Sequence, residues 1–254
     1  MKKGGGKIWT MGSSALILAA GLKLYYSTAS VNDLLWVLAP TKLLVELATG
    51  ETFRFESYAG YMNADHSFLI AASCSGVNFF ITAFLMLALV PLFKRRKENV
   101  RYVELPVALL AAYVATILAN AVRICVALRL QRMNADLIWV NPEQLHRFEG
   151  IFIYFGFLLI LFVVSEGFRG NYESRSSDYL LSLKRIALPL AIYWGTTLGI
   201  PLANGAYRQG TVFWEHCLFV LLTPLVLLLP LSIFRLLKAT NKTVGVYGVI
   251  RSIH

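Results

Sequence analysis

The chain has 254 residues, 57% of them hydrophobic and only 15% charged, against roughly 25% charged in soluble domains. With a mean hydropathy of +0.61, that composition excludes an ordinary soluble domain and reads as an integral membrane protein. The net charge of +10 does not point to nucleic acid, because the basic residues stand in short clusters between apolar runs rather than along one amphipathic face.

The chain opens on Lys2, Lys3 and Lys7, followed by an apolar run at about 8–26. This reads as a retained first span, with a signal peptide as its competitor. Residues 31–48 are a weaker apolar run, interrupted by Asp33, Lys42 and Glu46 and broken by Pro40, and read as an interfacial or re-entrant helix. Further runs lie at about 67–93, 103–129, 148–166, 186–206 and 216–237, each close to the roughly 20 residues that a spanning helix needs. The predicted fold is all-α: a polytopic transmembrane helix bundle of about six spans, forming one integral membrane domain over 1–254.

Placing both termini in the cytoplasm puts sixteen of the 24 basic residues on the inner side, with Lys94-Arg-Arg-Lys97 as the strongest anchor. The outer segments are then 27–66, 130–147 and 207–215. Three cysteines cannot complete a disulfide framework. Cys125 and Cys217 lie in apolar runs and read as small core residues.

Cys74 stands seven residues into the second expected span, about 10 Å below its outer boundary. Arg123 stands six residues before the outer end of the next span, about 9 Å below the same boundary. His146 precedes the span after that. A cysteine in an apolar helix is commonly just a packed small residue, and an outer histidine is commonly interfacial. Ser75 and Gly76, beside Cys74, permit close helix packing and equally permit close approach of a substrate backbone. Arg123 is harder to dismiss, since the apolar pattern continues past it and an intramembrane arginine usually faces the bundle interior with a partner. Asn120, three residues earlier on the same helical face, can orient Arg123. Glu149, about one turn after His146, can hold its tautomer.

These residue types suit acyl transfer. A thiolate attacks a carbonyl, an imidazole carries the proton to the leaving amine, and a guanidinium stabilises the oxyanion.

Ala72-Ser-Cys-Ser-Gly76, Asn120-Ala-Val-Arg123 and Leu145-His146, in that order, resemble the motif blocks of the exosortase/archaeosortase family, and within it the exosortase K branch. The resemblance covers about 30–170 and leaves the spans within 186–237 uncovered. It implies a multi-pass cysteine protease/transpeptidase of the cell (inner) membrane with its site facing outward. Cys74 would be the nucleophile, His146 the general acid/base and Arg123 the transition-state stabiliser. The implied partners are exported proteins bearing a C-terminal sorting tail (a short motif, a transmembrane helix and a basic cluster), the lipid bilayer and an acceptor nucleophile. No cofactor and no metal are expected.

Two rivals stand beside this reading. His66, His146 and His216, with Asp65, Glu149 and Glu215 nearby, are a donor set for a metal-dependent membrane hydrolase, although no HExxH occurs. Pro189, Gly195, Gly199 and Pro201 can mark a discontinuous helix of a transporter, or of an assembly scaffold.

Overall fold

The computed structural model describes residues 3–94, 101–132, 142–168, 183–203, 205–211 and 213–228. Helix α1 (Lys3–Thr28) ends in a turn where the Asp33 carboxylate accepts the Ser30 amide at 2.8 Å and its hydroxyl at 2.7 Å. A short helical turn then leads into α2 (Leu35–Thr49), which tolerates Pro40. Gly50 ends α2 in the left-handed conformation (φ 74°), its amide returning to the Glu46 carbonyl at 2.9 Å. α2 packs on α4, and its 15 residues span only about 22 Å.

The segment after α2 holds β1 (Phe53–Glu56), β2 (Gly60–Asn63) and β3 (Leu69–Ile70), an antiparallel sheet in the order β1-β2-β3. Phe53 faces Asn63 and Tyr61 faces Ile70. Glu46 anchors the sheet to α2 by accepting the Phe53 amide at 2.7 Å while pairing with Lys42. The Asn63 side chain closes the turn into β3, accepting the amides of Ser67 and Phe68. Gly60 is required there, because a Cβ would stand 2.2 Å from the Ile70 carbonyl oxygen.

Helices α3 (Val77–Lys94), α4 (Glu104–Arg132) and α5 (Pro142–Phe168) follow. α6 (Leu183–Trp194) runs through a π-helical turn at Gly195–Gly199 into α7 (Ile200–Ala203), and α8 is Phe213–Leu228. α3 is the central helix. Its apolar window is 83% buried against 17% for α1, and it touches α1, α4, α5 and α6. α4 buries a stripe of small residues, Ala108, Ala112, Ala115 and Ala119, at the spacing that lets helix backbones approach closely. The far end of α4 meets the sheet region, where Gln131 donates to the Ser67 carbonyl at 3.0 Å and Arg132 pairs with Glu51.

Among the described residues, Gly6–Thr28, Ala72–Leu92, Glu104–Arg132 and Phe148–Glu166 are long and apolar enough to cross a membrane, and Ala187–Leu202 and Phe213–Leu228 are shorter apolar helices. All six fall on the expected runs, so the chain is a multi-pass membrane helix bundle. The start of the second run differs from expectation. The helix begins at Val77 and not at 67, because residues 69–74 form β3 and a 3₁₀ turn. The apolar side chains of that stretch look helical by hydropathy alone. The sheet was not foreseen either. Most of the Lys94–Lys97 cluster and the end of the last expected run lie outside the described residues.

Candidate active site

Cys74 closes the 3₁₀ turn Ala72–Cys74, three residues before α3. Its amide donates to the Ala71 carbonyl at 2.9 Å. It is therefore held on a turn at the mouth of the helix rather than two turns inside one. Gly76 makes the change of direction with φ +71°, a conformation that favours glycine. Space demands glycine too, since a Cβ would meet Thr116 Cγ2 and the Tyr154 hydroxyl at 3.3 Å. Ser75 is fully buried, and its hydroxyl has no hydrogen-bond partner among the described residues.

Asn120 of α4 is also fully buried. Its amide nitrogen donates to the Cys74 carbonyl, and its Oδ1 accepts the Tyr154 hydroxyl at 2.9 Å. Arg123, one turn along α4, donates from Nη1 to the same Tyr154 oxygen at 3.1 Å. Its guanidinium carbon stands 5.6 Å from the centroid of the Tyr154 ring, within cation–π reach. The ring in turn stacks on Phe79 of α3, with centroids 5.0 Å apart and planes inclined by 16°. A continuous path of hydrogen bonds thus runs Arg123, Tyr154, Asn120, Cys74 carbonyl, and it ties α4 and α5 to the turn that precedes α3.

Arg123 also lies within electrostatic reach of the Cys74 thiol and of Glu149. Glu149 is only 8% exposed, and neighbouring Gly150 lets α5 come close, since a Cβ there would stand 3.2 Å from Arg123 Nε. The structure therefore gathers Cys74, Ser75, Gly76, Asn120, Arg123 and Glu149 in one neighbourhood. Position 146 lies in the opening turns of α5, one turn before Gly150, while the His146 side chain lies outside the described part. Asn120 and Arg123 share a partner in Tyr154 rather than bonding each other. Tyr154 is the residue that sequence reasoning missed, because one tyrosine in an apolar helix carries no spacing signal.

A cavity of about 240 Å³ adjoins the cluster, with Ser73, Gly76, Arg123 and Tyr154 in its lining. Cys74 itself stands beside that lining rather than in it. Of the metal rival's histidines, His66 is exposed on the sheet, 3.9 Å from Glu56, and His216 lines the cavity from α8. Among the described residues, no three His, Cys, Asp or Glu side chains come together in metal-binding range. Of the transporter rival's residues, Pro189 lies inside α6 and Gly195 and Gly199 bound the π turn, through which the helix continues without a break into α7. Cys125 packs against the core as expected, and all three cysteines are free thiols.

The family model for the transmembrane exosortase matches residues 47–163, a stretch containing Cys74, Asn120, Arg123, His146, Glu149 and Tyr154. No curated protein and no solved structure matches the chain.

Proposed function

The chain belongs to the transmembrane exosortase family, and on that premise we propose that it is a cysteine peptidase or transpeptidase acting on exported proteins at a C-terminal sorting tail. The Cys74 thiolate attacks the carbonyl carbon of the scissile peptide bond, and the carbonyl π electrons move onto oxygen. Arg123 stabilises that oxyanion. As the intermediate collapses, the C–N bond breaks, His146 protonates the leaving amine, and the tail departs. The N-terminal fragment remains as a thioester on Cys74 until water or an acceptor nucleophile attacks the thioester carbon and releases the thiol. Both termini lie in the cytoplasm and the site opens on the extracytoplasmic side, in keeping with the distribution of basic residues.

The observation that supports this reading most is the path Arg123–Tyr154–Asn120–Cys74 carbonyl. It holds the cation and the turn bearing the thiol in a common rigid frame, as a preorganised site requires. Glu149, buried next to Arg123, serves as the counter-charge that makes an intramembrane arginine tolerable.

The test is processing of a tailed exported substrate co-expressed with the full-length protein. Wild type releases the tail, whereas Cys74→Ala, Arg123→Gln and His146→Gln accumulate unprocessed substrate at normal protein levels. Cleavage that survives Cys74→Ala and stops with a chelator would instead favour a metal hydrolase.

A further inference from the structure

The cavity lies where α1, α3, α4, α5, the α6–α7 segment and α8 meet. Its wall is contributed unequally with respect to the family match. Arg123, Tyr154 and the turn around Cys74 fall within residues 47–163. Lys23 of α1 and Thr196 and Thr197 of the π turn, also in the lining, fall outside it.

Two of these outlying residues, Lys23 and Thr196, are joined through Asn78 and Thr82 into a polar seam. Lys23 Nζ donates to Asn78 Oδ1 at 2.9 Å and stands 5.4 Å from the Tyr26 ring centroid. The Asn78 carbonyl accepts the Thr82 hydroxyl at 2.9 Å, and the Thr82 and Thr196 hydroxyls meet at 2.8 Å. The seam thus crosses α1, α3 and the π turn. π-helical turns are rare and concentrate at functional sites.

A lysine on an apolar helix is costly and ordinarily has a partner of opposite charge. Among the described residues no carboxylate lies within ion-pair distance of Lys23, and the cavity lining contains neither Asp nor Glu. Arg123, by contrast, has Glu149 within electrostatic reach. The cavity wall therefore carries one positive charge that no described carboxylate offsets.

We infer that Lys23 and its seam form a specificity subsite for a carboxylate carried by the polypeptide substrate, close to the bond that Cys74 attacks; the peptide nature of this ligand rests on the peptidase reading. A carboxylate carries one negative charge, matching one ammonium. A phosphate monoester carries about 1.5 to 2 and would leave the excess charge uncompensated in a poorly solvated cavity.

The experiment needs no turnover. Iodoacetate and iodoacetamide are nearly isosteric thiol reagents that differ by one negative charge. Their rates at Cys74 are measured by peptide-resolved mass spectrometry on the full-length protein in detergent, and the rate ratio is divided by the same ratio for glutathione. The Lys23→Gln ratio should fall about fivefold, the scale of one partly desolvated charge interaction, while Lys23→Arg stays within about twofold of wild type. Should Lys23→Gln fail to fold, wild type alone decides: acetate, but not acetamide, should slow iodoacetamide at Cys74. An unchanged ratio in Lys23→Gln, or equal effects of acetate and acetamide, overturns the subsite. Slowing by inorganic phosphate without slowing by acetate overturns it in favour of a phosphate group. Absence of an anion preference in wild type, with Cys74-dependent processing intact, removes the subsite alone, whereas processing by Cys74→Ala removes the peptidase reading.

Discussion

Asn120 on α4 donates its side-chain amide to the main-chain carbonyl of Cys74, 46 residues earlier in the chain. The bond fixes a short turn rather than a helix, so the position of the thiol depends on a residue of another helix. Replacing Asn120 by Leu keeps the volume and removes both polar groups, depriving the Tyr154 hydroxyl of its acceptor and the Cys74 carbonyl of this donor. A loss of about 1–3 kcal/mol in stability is expected, read as a lowered melting temperature of the purified protein, together with a fall in processing larger than the stability change accounts for.

Tyr154→Phe separates the hydroxyl from the ring. Stacking on Phe79 survives, while Arg123 Nη1 and Asn120 Oδ1 both lose this partner. Processing should fall on the order of tenfold or more, because misplacing a stabilising cation by about 1 Å is costly. Since both residues act through one oxygen, the double variant Asn120→Leu/Tyr154→Phe should lose much less than the sum of the single losses. Additive losses in a double-mutant cycle would show that the path is not one unit.

Two glycines on α5 make a matched comparison. Gly150→Ala would place a Cβ 3.2 Å from Arg123 Nε, whereas a Cβ at Gly156 meets nothing within 4 Å. Gly150→Ala should depress processing, and Gly156→Ala should leave it unchanged with equal or slightly higher thermal stability. Gly76→Ala, at φ +71° and against Tyr154, should be the most damaging of the three, at about 1–3 kcal/mol. Equal activity of the Gly150 and Gly156 variants would count against tight packing of α5 on Arg123.

What the amino-acid order revealed follows from the kind of signal each feature carries. The long apolar helices were legible because about 20 consecutive apolar residues are seldom anything but a membrane span. Asn120 and Arg123 were legible because polar groups inside such a run are costly. The start of α3 was not, because Phe68, Leu69, Ile70, Ala71 and Ala72 are apolar whether they pair as a strand or wind as a helix. The strands Phe53–Glu56 and Gly60–Asn63 are only four residues each, too short for alternation to declare itself. Tyr154 stayed hidden because its role depends on three helices meeting, and a lone aromatic in an apolar run ordinarily signals packing.

The sheet's anchor supplies a pH test. Burial tends to raise the Glu46 carboxyl, but the Lys42 ammonium and the Phe53 amide more than offset this and hold it below its ordinary value. A carboxylate with a depressed folded pKa contributes stability that is present above the unfolded value and lost as pH falls through the folded one. The junction of α2 and β1 should therefore loosen below about pH 4.3, seen as faster amide exchange at Phe53. Glu46→Gln keeps an acceptor for that amide and should remove the pH dependence. Exchange at Phe53 that stays pH-dependent in Glu46→Gln, beyond the intrinsic rate, would assign the loosening to another group.

Intact-mass spectrometry after acid quench tests the central claim most directly, using purified full-length protein mixed with a tailed substrate. A thioester-linked N-terminal substrate fragment should appear on Cys74, vanish with neutral hydroxylamine, and be missing from Cys74→Ala. Full-rate tail release by Cys74→Ala, or the same fragment attached at Cys125 or Cys217 instead, would contradict it.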